Sequence, residues 1–142
     1  MGFWEANGKF WTNYVNFEGR STRSEFWWPA LLHNIIFWSV MIVLLFWVGI
    51  TIDPSTGEPS QTSAIFLGGW IMLFILYNLV SFLPWMSVTV RRFHDQNMSG
   101  WMWLINLVFS AVVLVFMCIE GTKGPNKFGE HPKDYLNPDT FD

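Results

Sequence analysis

The sequence predicts an all-α membrane protein with three transmembrane helices, preceded by an amphipathic interfacial helix and followed by an irregular tail. Hydrophobic residues make up 51% of the 142 residues and charged residues only 13%, whereas about 25% of an average soluble domain is charged. The uncharged residues are also gathered into three long blocks instead of being spread along the chain. We therefore expect one membrane domain over residues 1–142.

The N-terminal arm, residues 1–25, begins with a predicted amphipathic helix. Phe3, Phe10, Tyr14 and Phe17 recur at helical spacing, and polar residues such as Lys9 take the other side. Such an aromatic stripe can lie in the membrane interface or pack on the other helices, and we expect the interface. The arm has no continuous apolar stretch typical of a cleaved signal peptide.

The three uncharged blocks are predicted to cross the membrane. They comprise residues 26–52, 64–90 and 101–119, which is 27, 27 and 19 residues. About 20 apolar residues are needed to cross roughly 30 Å of hydrocarbon. Apolar side chains run all round these segments, and a soluble fold of this size could not hide three such helices from water.

The charges between the blocks predict the orientation. The link 53–63 carries acidic residues but no Lys or Arg, whereas the arm and the link 91–100 are basic. Because basic residues stay in the cytoplasm, we expect a cytoplasmic N-terminus and an external first link. Three crossings would then place the tail, residues 120–142, outside. Lys123, Lys127 and Lys133 in that tail argue for a third block that dips in and returns, but Ser110-Ala111 is no helix breaker.

Composition excludes several classes of function. The formal net charge is −3, from 8 Lys+Arg against 11 Asp+Glu, which argues against nucleic-acid binding. A single Cys excludes a disulfide framework and a cysteine-built zinc site. His94 and Asp95 are adjacent, but no further ligands or nucleophile accompany them. We expect no enzymatic activity, no metal and no cofactor.

A cytoplasmic-face cluster is the candidate binding site. Its members are Arg20, Arg23, Glu25, Arg91, Arg92, His94 and Asp95. Guanidinium groups match phosphate oxygens, so the cluster is predicted to bind anionic phospholipid headgroups or a protein partner. The two carboxylates would orient the arginines, and Thr22-x-x-Glu25 fits a helix capping box. The simpler interpretation is that the arginines only determine topology.

A transporter or channel is the alternative function. Asn34, Asn78 and Asn106 lie in separate blocks and could line a path. Since three helices enclose no pore, this hypothesis requires a homo-oligomer.

Three ordered motifs resemble the DUF805 family of small bacterial inner-membrane proteins. An aromatic-Gly-Arg-Arg-Glu motif is matched by Phe17, Gly19, Arg20, Arg23, Glu25, Phe26 and Trp27. An Arg-Arg-x-His-Asp turn is matched by Arg91, Arg92, His94, Asp95, Ser99, Gly100 and Trp101. A glycine-rich ending is matched by Gly121, Thr122, Gly124, Asn126, Phe128, Gly129 and Pro132. The resemblance implies a multi-pass location in the bacterial inner membrane and no particular activity. Ser110 stands where the family often has a Pro or Gly break, so we expect this chain's third block to continue.

Overall fold

A computed structural model describes residues 1–53, 55–58 and 60–132. It contains helices α1 (Phe3–Thr12), α2 (Arg23–Thr51), α3 (Gln61–Asp95) and α4 (Ser110–Cys118), with a 3₁₀ helix (Gly100–Leu107) before α4. No strand occurs in these described ranges, and Asn126 and Gly129 form an isolated bridge in an irregular loop. The all-α class is confirmed. The predicted tail extends to residue 142, and its last ten residues lie outside the described part.

Helices α2 and α3 are long and apolar enough to cross a membrane. At 1.5 Å per residue they extend for about 43 Å and about 52 Å, more than the roughly 30 Å of hydrocarbon. Only 6% of the most apolar 18-residue window of each helix is buried. Large apolar side chains are exposed along both helices, and Leu45 is 72% exposed. Such exposure suits lipid and does not suit the core helix of a soluble protein.

The prediction of a third transmembrane helix was wrong. Residues 101–119 do not form one rod, because the 3₁₀ helix ends at Leu107 and α4 begins at Ser110. The backbone turns at Phe109, with φ −132° and ψ 61°. These two helices have 8 and 9 residues, so each is about 13–16 Å long and too short to span the bilayer.

Both ends of this segment are held at the carboxyl end of α3. At the first end, Gly100 packs so closely on Val90 that a Cβ atom would lie 2.7 Å from the Val90 Cγ1 atom. At the other end, the Arg92 Nη2 atom donates to the carbonyl oxygen of Ile119. A segment that begins and ends at the same place has to return, whatever its apolar length.

The chain divides into two compact units. We call Leu31–Phe82 the hairpin, since it holds most of the apolar length of α2 and α3 and the loop between them. Aromatic side chains join its two helices, as Phe37 packs on Phe74 with ring centroids 5.6 Å apart.

In the loop between α2 and α3, the Ser55 side chain and backbone amide donate hydrogen bonds to Asp53. These bonds lower the pKa of Asp53, which keeps this carboxylate charged.

The remaining residues, Met1–Ala30 and Leu83–Asp142, form the second unit, which we call the headpiece. Its apolar core contains Phe10, Phe26, Val88, Phe93, Val113 and Met117. Helix α1 buries Phe10 in this core and leaves Trp4 81% exposed. One face of α1 therefore packs on the rest of the headpiece, which was the alternative to a helix in the membrane interface. The position of its exposed face in that interface stays a prediction.

Candidate functional site

Asp95, the last residue of α3, is the centre of a buried charged cluster and is 3% exposed. Its Oδ1 atom lies 3.0 Å from Arg20 Nε and 2.9 Å from Arg20 Nη2. Its Oδ2 atom accepts from Arg92 Nη1. One carboxylate thus orients two guanidinium groups that are also buried, and charge-assisted bonds of this kind are among the strongest in proteins.

Arg20 and Asp95 also fix the loop that follows α4. The Arg20 Nη2 atom donates to the Thr122 carbonyl oxygen at 2.6 Å, and Arg20 Nη1 donates to the Gly124 carbonyl oxygen at 2.7 Å. The Thr122 amide and hydroxyl donate to the Asp95 carbonyl oxygen at 2.8 and 3.0 Å. The glycine-rich loop therefore closes over the end of α3, and its carbonyl groups are satisfied by the arm.

Gly121 is required at this closure. A Cβ atom built on Gly121 would lie 2.0 Å from Asp95 Oδ2 and 2.7 Å from Asp95 Oδ1. Any side chain would therefore displace the carboxylate from its arginines.

The end of α4 is held by side chains of α3. Arg92 donates to the Ile119 carbonyl oxygen, and Gln96 Nε2 donates to the Phe116 carbonyl oxygen at 2.5 Å. The last carbonyls of a helix have no partners within the helix, and a cation there is favourable to the helix dipole. Gln96 was not among the predicted site residues, and no pattern within the sequence pairs it with α4.

Glu25 and Thr22 form the predicted capping box at the start of α2. The Thr22 amide donates to Glu25 Oε2 at 2.8 Å, and the Glu25 amide donates to Thr22 Oγ1 at 3.3 Å. Glu25 also lies near Arg91, with 3.9 Å between Oε1 and Nη1. Its carboxylate therefore serves both the helix and a buried arginine.

The Arg91 side chain is buried, and its Nε atom has no hydrogen-bond partner in the described part of the chain. Arg91 is 5% exposed, and Glu25 at 3.9 Å is its ion-pair partner there. The Nε atom of Arg91 and the Oγ atom of Ser21 are buried and have no hydrogen-bond partner among the described residues. The Ser21 amide donates to the Arg91 carbonyl oxygen at 3.1 Å, which places this hydroxyl beside the Arg91 backbone. A buried guanidinium with unused donors is costly unless something else accepts from it.

Arg23 and His94 take no direct part in these buried ion pairs, although Arg23 lines a small cavity together with Arg92 and Asp95. The Arg23 side chain is 47% exposed and lies 3.9 Å from the exposed Glu120 carboxylate. His94 stacks on Phe128 with ring centroids 3.8 Å apart and an interplanar angle of 6°. The imidazole contacts the arm through Nδ1, 3.2 Å from the Gly19 carbonyl oxygen, whereas the neighbouring Asp95 carboxylate contacts Arg20 and Arg92.

All seven predicted site residues lie in the headpiece, but they do not form a single ion-pair cluster. Arg20, Arg92 and Asp95 share one cluster, and Glu25 with Arg91 forms a second pair. The loop residues Thr122 and Asn126 are parts of the site that the prediction left out. Their signal in the sequence was the glycine-rich motif, interpreted there as a turn-rich segment.

Asn78, one of the asparagines of the transporter hypothesis, hydrogen-bonds within its own helix, and the hypothesis stays a prediction. The Asn78 amide donates to the Phe74 carbonyl oxygen of its own helix at 2.8 Å. Among the described residues, no group of three or more His, Cys, Asp or Glu side chains could hold a metal ion.

Comparison with known proteins identifies the family. The model of the family described as "Protein of unknown function (DUF805)" matches residues 14–130. The inner membrane protein YhaH of Escherichia coli K12 is 37% identical over 124 residues, which cover 85% of this chain and 90% of that protein. The inner membrane protein YhaI of the same strain is 35% identical, over 85% of this chain and 89% of that protein. No solved structure matches the chain. The resemblance drawn from the three motifs is confirmed, and the chain belongs to the DUF805 family, whose named relatives are inner membrane proteins.

Proposed function

We propose that the protein spans the inner membrane twice and uses Arg91 in a cytoplasmic headpiece to bind the anionic headgroups of phospholipids. The observation that carries this function is the buried Arg91 guanidinium, whose Nε atom has no hydrogen-bond partner among the described residues. The proposal is one of binding, with no chemical reaction.

Charge placement supports the cytoplasmic orientation. Two crossings return the chain to its starting side, so the arm, the end of α3 and the tail share one side of the membrane. All 8 Lys+Arg of the sequence lie in these segments, and none lies in the link 53–63. Because basic residues are retained in the cytoplasm, the N-terminus and the tail are cytoplasmic. The sequence had suggested an external tail only because it counted a third crossing.

Among the described residues of the headpiece, the buried charges do not balance. Three arginines and two carboxylates are buried in this described part, namely Arg20, Arg91, Arg92, Glu25 and Asp95. The excess positive charge resides with Arg91, since Asp95 directly contacts the other two arginines while Glu25 stands 3.9 Å away. A phosphate group would supply the missing charge and accept from the guanidinium fork.

The depth of Arg91 fits a headgroup. Leu83 is the last exposed large apolar residue of α3, and every residue from Ser87 to Arg91 is buried in the headpiece. Eight residues of helix separate Leu83 from Arg91 along about 12 Å. The headgroup layer begins at the edge of the hydrocarbon and is several ångströms thick, so an arginine side chain directed toward the membrane reaches phosphate from this position.

Lipid retention measured by native mass spectrometry tests the proposal. Wild-type protein in a mild detergent is offered phosphatidylglycerol and phosphatidylcholine with identical acyl chains. We expect preferential retention of phosphatidylglycerol, reduced about tenfold by Arg91→Gln because charge-assisted hydrogen bonds to phosphate are lost. Arg91→Lys keeps the charge but not the fork, and we expect it to retain an intermediate amount.

Arg23→Gln is the matched control, because Arg23 is exposed and its only ion-pair partner in the described part of the chain is Glu120. We expect this variant to retain phosphatidylglycerol within twofold of the wild type, since exposed pairs contribute little. A folded Arg91→Gln variant that retains phosphatidylglycerol like the wild type would refute the headgroup proposal. Absence of any lipid preference in the wild type would refute it as well, and would favour an acidic protein partner.

A further inference from the structure

A cavity of about 390 Å³ lies in the headpiece, between α3, the 3₁₀ helix and the loop after α4. Its walls are largely aromatic, with Phe17, Trp101, Trp103 and Phe128 around the space. None of the described residues that line it carries a formal charge. The volume is within the usual range for small-molecule sites, and the uncharged lining favours an uncharged ligand.

His94 supplies a hydrogen-bond acceptor to this cavity. Its Nδ1 atom lies 3.2 Å from the Gly19 carbonyl oxygen, which can only accept, so Nδ1 carries the hydrogen. An unperturbed imidazole is mostly neutral above about pH 6.5, and the other nitrogen, Nε2, then has a free lone pair. A Cβ atom on Gly100 would lie 3.1 Å from Nε2, so the missing side chain of Gly100 leaves this atom open at the cavity wall.

Ser99 supplies a donor on the same wall. Its hydroxyl oxygen accepts from the Trp101 amide at 3.4 Å, so its hydrogen is free to donate outward. The cavity therefore offers the Nε2 acceptor of His94 and the hydroxyl donor of Ser99 in aromatic surroundings. Trp101 is 79% exposed and Leu104 is also exposed, so the rim is an apolar surface.

We propose that this cavity binds the ring of an uncharged, membrane-soluble phenol or hydroquinone, with its hydroxyl donating to Nε2 of His94. A planar ring packs favourably against Trp and Phe side chains. A phenolic hydroxyl satisfies the open acceptor, and an alkyl tail leaves the cavity over the apolar rim. The site is distinct from Arg91 and does not depend on headgroup binding.

Binding of matched ligands to the full-length protein in phosphatidylcholine nanodiscs tests the proposal. The ligands are para-octylphenol and its methyl ether, para-octylanisole, in which a methyl group replaces the hydroxyl hydrogen and removes the donor. Dioctanoylglycerol tests whether a hydroxyl without a ring suffices. Isothermal titration calorimetry at mildly alkaline pH gives each dissociation constant, with partitioning into empty nanodiscs subtracted.

Two variants of His94 separate its two nitrogens. In His94→Asn the side-chain amide can still donate to the Gly19 carbonyl oxygen, but nothing replaces Nε2. In His94→Gln the amide places an acceptor near the Nε2 position. We expect wild type and His94→Gln to bind para-octylphenol about tenfold more tightly than para-octylanisole, and His94→Asn to bind both within twofold.

Several results would overturn the assignment. Equal wild-type affinity for the phenol and its methyl ether would show that no acceptor is used, and this result needs no variant. Persistence of the phenol preference in His94→Asn would exclude Nε2 as the acceptor. Dioctanoylglycerol binding as tightly as para-octylphenol would show that the aromatic ring is not recognised.

Discussion

Replacing Asp95 with Asn should lower the stability of the headpiece more than the replacement of any exposed charged residue does. Asp95 accepts from Arg20 Nε at 3.0 Å and from Arg92 Nη1, and its Oδ1 atom lies 2.9 Å from Arg20 Nη2 as an ion pair, all in buried surroundings. Asn keeps the size and one acceptor oxygen, but its amide nitrogen opposes a guanidinium donor. Breaking a buried ion pair by changing one partner costs about 3–5 kcal/mol. For a chain of this length, such a loss lowers Tm by on the order of 10 °C.

Thermal unfolding in a mild detergent, followed by tryptophan fluorescence, measures this effect. Glu120→Gln is the matched control, because it removes a carboxylate from an ion pair of 3.9 Å whose side chains are 47% and 65% exposed. Exposed pairs contribute less than about 1 kcal/mol, so Glu120→Gln should melt within a few degrees of the wild type. If Asp95→Asn melts as the wild type does, the two arginines are not stabilised by this carboxylate and the reasoning is wrong.

Three further predictions concern the loop, the cap and the topology. Gly121→Ala should lower Tm nearly as much as Asp95→Asn, because the added Cβ atom would lie 2.0 Å from the Asp95 carboxylate. Gly124→Ala is strained only by φ +72° and should lower the free energy of unfolding by about 1 kcal/mol, so equal losses of stability in the two variants would contradict the close contact. Thr22→Ala should cost about 1 kcal/mol through the lost helix cap, measured by the same melting curves, and an unchanged Tm would contradict the capping box. A membrane-impermeant maleimide should label the exposed Cys118 in inverted vesicles and not in spheroplasts. A control variant with Thr56→Cys and Cys118→Ser should show the opposite pattern, and labelling of Cys118 in spheroplasts would support a third crossing.

The long apolar helices could be predicted from the sequence because the determining property is local. An uncharged, largely apolar segment of 27 residues is rarely stable outside a membrane, because a soluble protein of this size cannot bury it. The capping box was likewise predicted from spacing alone, since Thr22 and Glu25 contact each other within one turn. Contacts between residues this close in the sequence can be predicted from the spacing of residue types alone.

The third block could not be predicted in the same way, because its path depends on distant contacts. Its turn at Phe109 has neither Gly nor Pro, and its return is imposed by the anchoring of Gly100 and Ile119 at α3. Pattern reasoning counts apolar residues but does not show what the two ends of a segment bind.

The candidate site was predicted in its residue types but not in its partners. Arg91 and Arg92 are neighbours in the sequence, yet a turn of about 100° along the helix separates them. Arg92 therefore meets Asp95, whereas Arg91 faces Glu25 at a longer distance. Arg20 contacts a carboxylate 75 residues away, and no sequence spacing expresses such a pairing.

The hydrogen bonds of Arg20 to distant parts of the chain have a consequence for biosynthesis. This side chain bonds to groups 75, 102 and 104 residues further along the chain. A ribosome adding about 5–20 residues per second leaves the arginine without these acceptors for several seconds or longer. The headpiece can close only after the chain has emerged beyond Gly124, so products truncated before the glycine-rich loop keep an unclosed arm that proteases can reach.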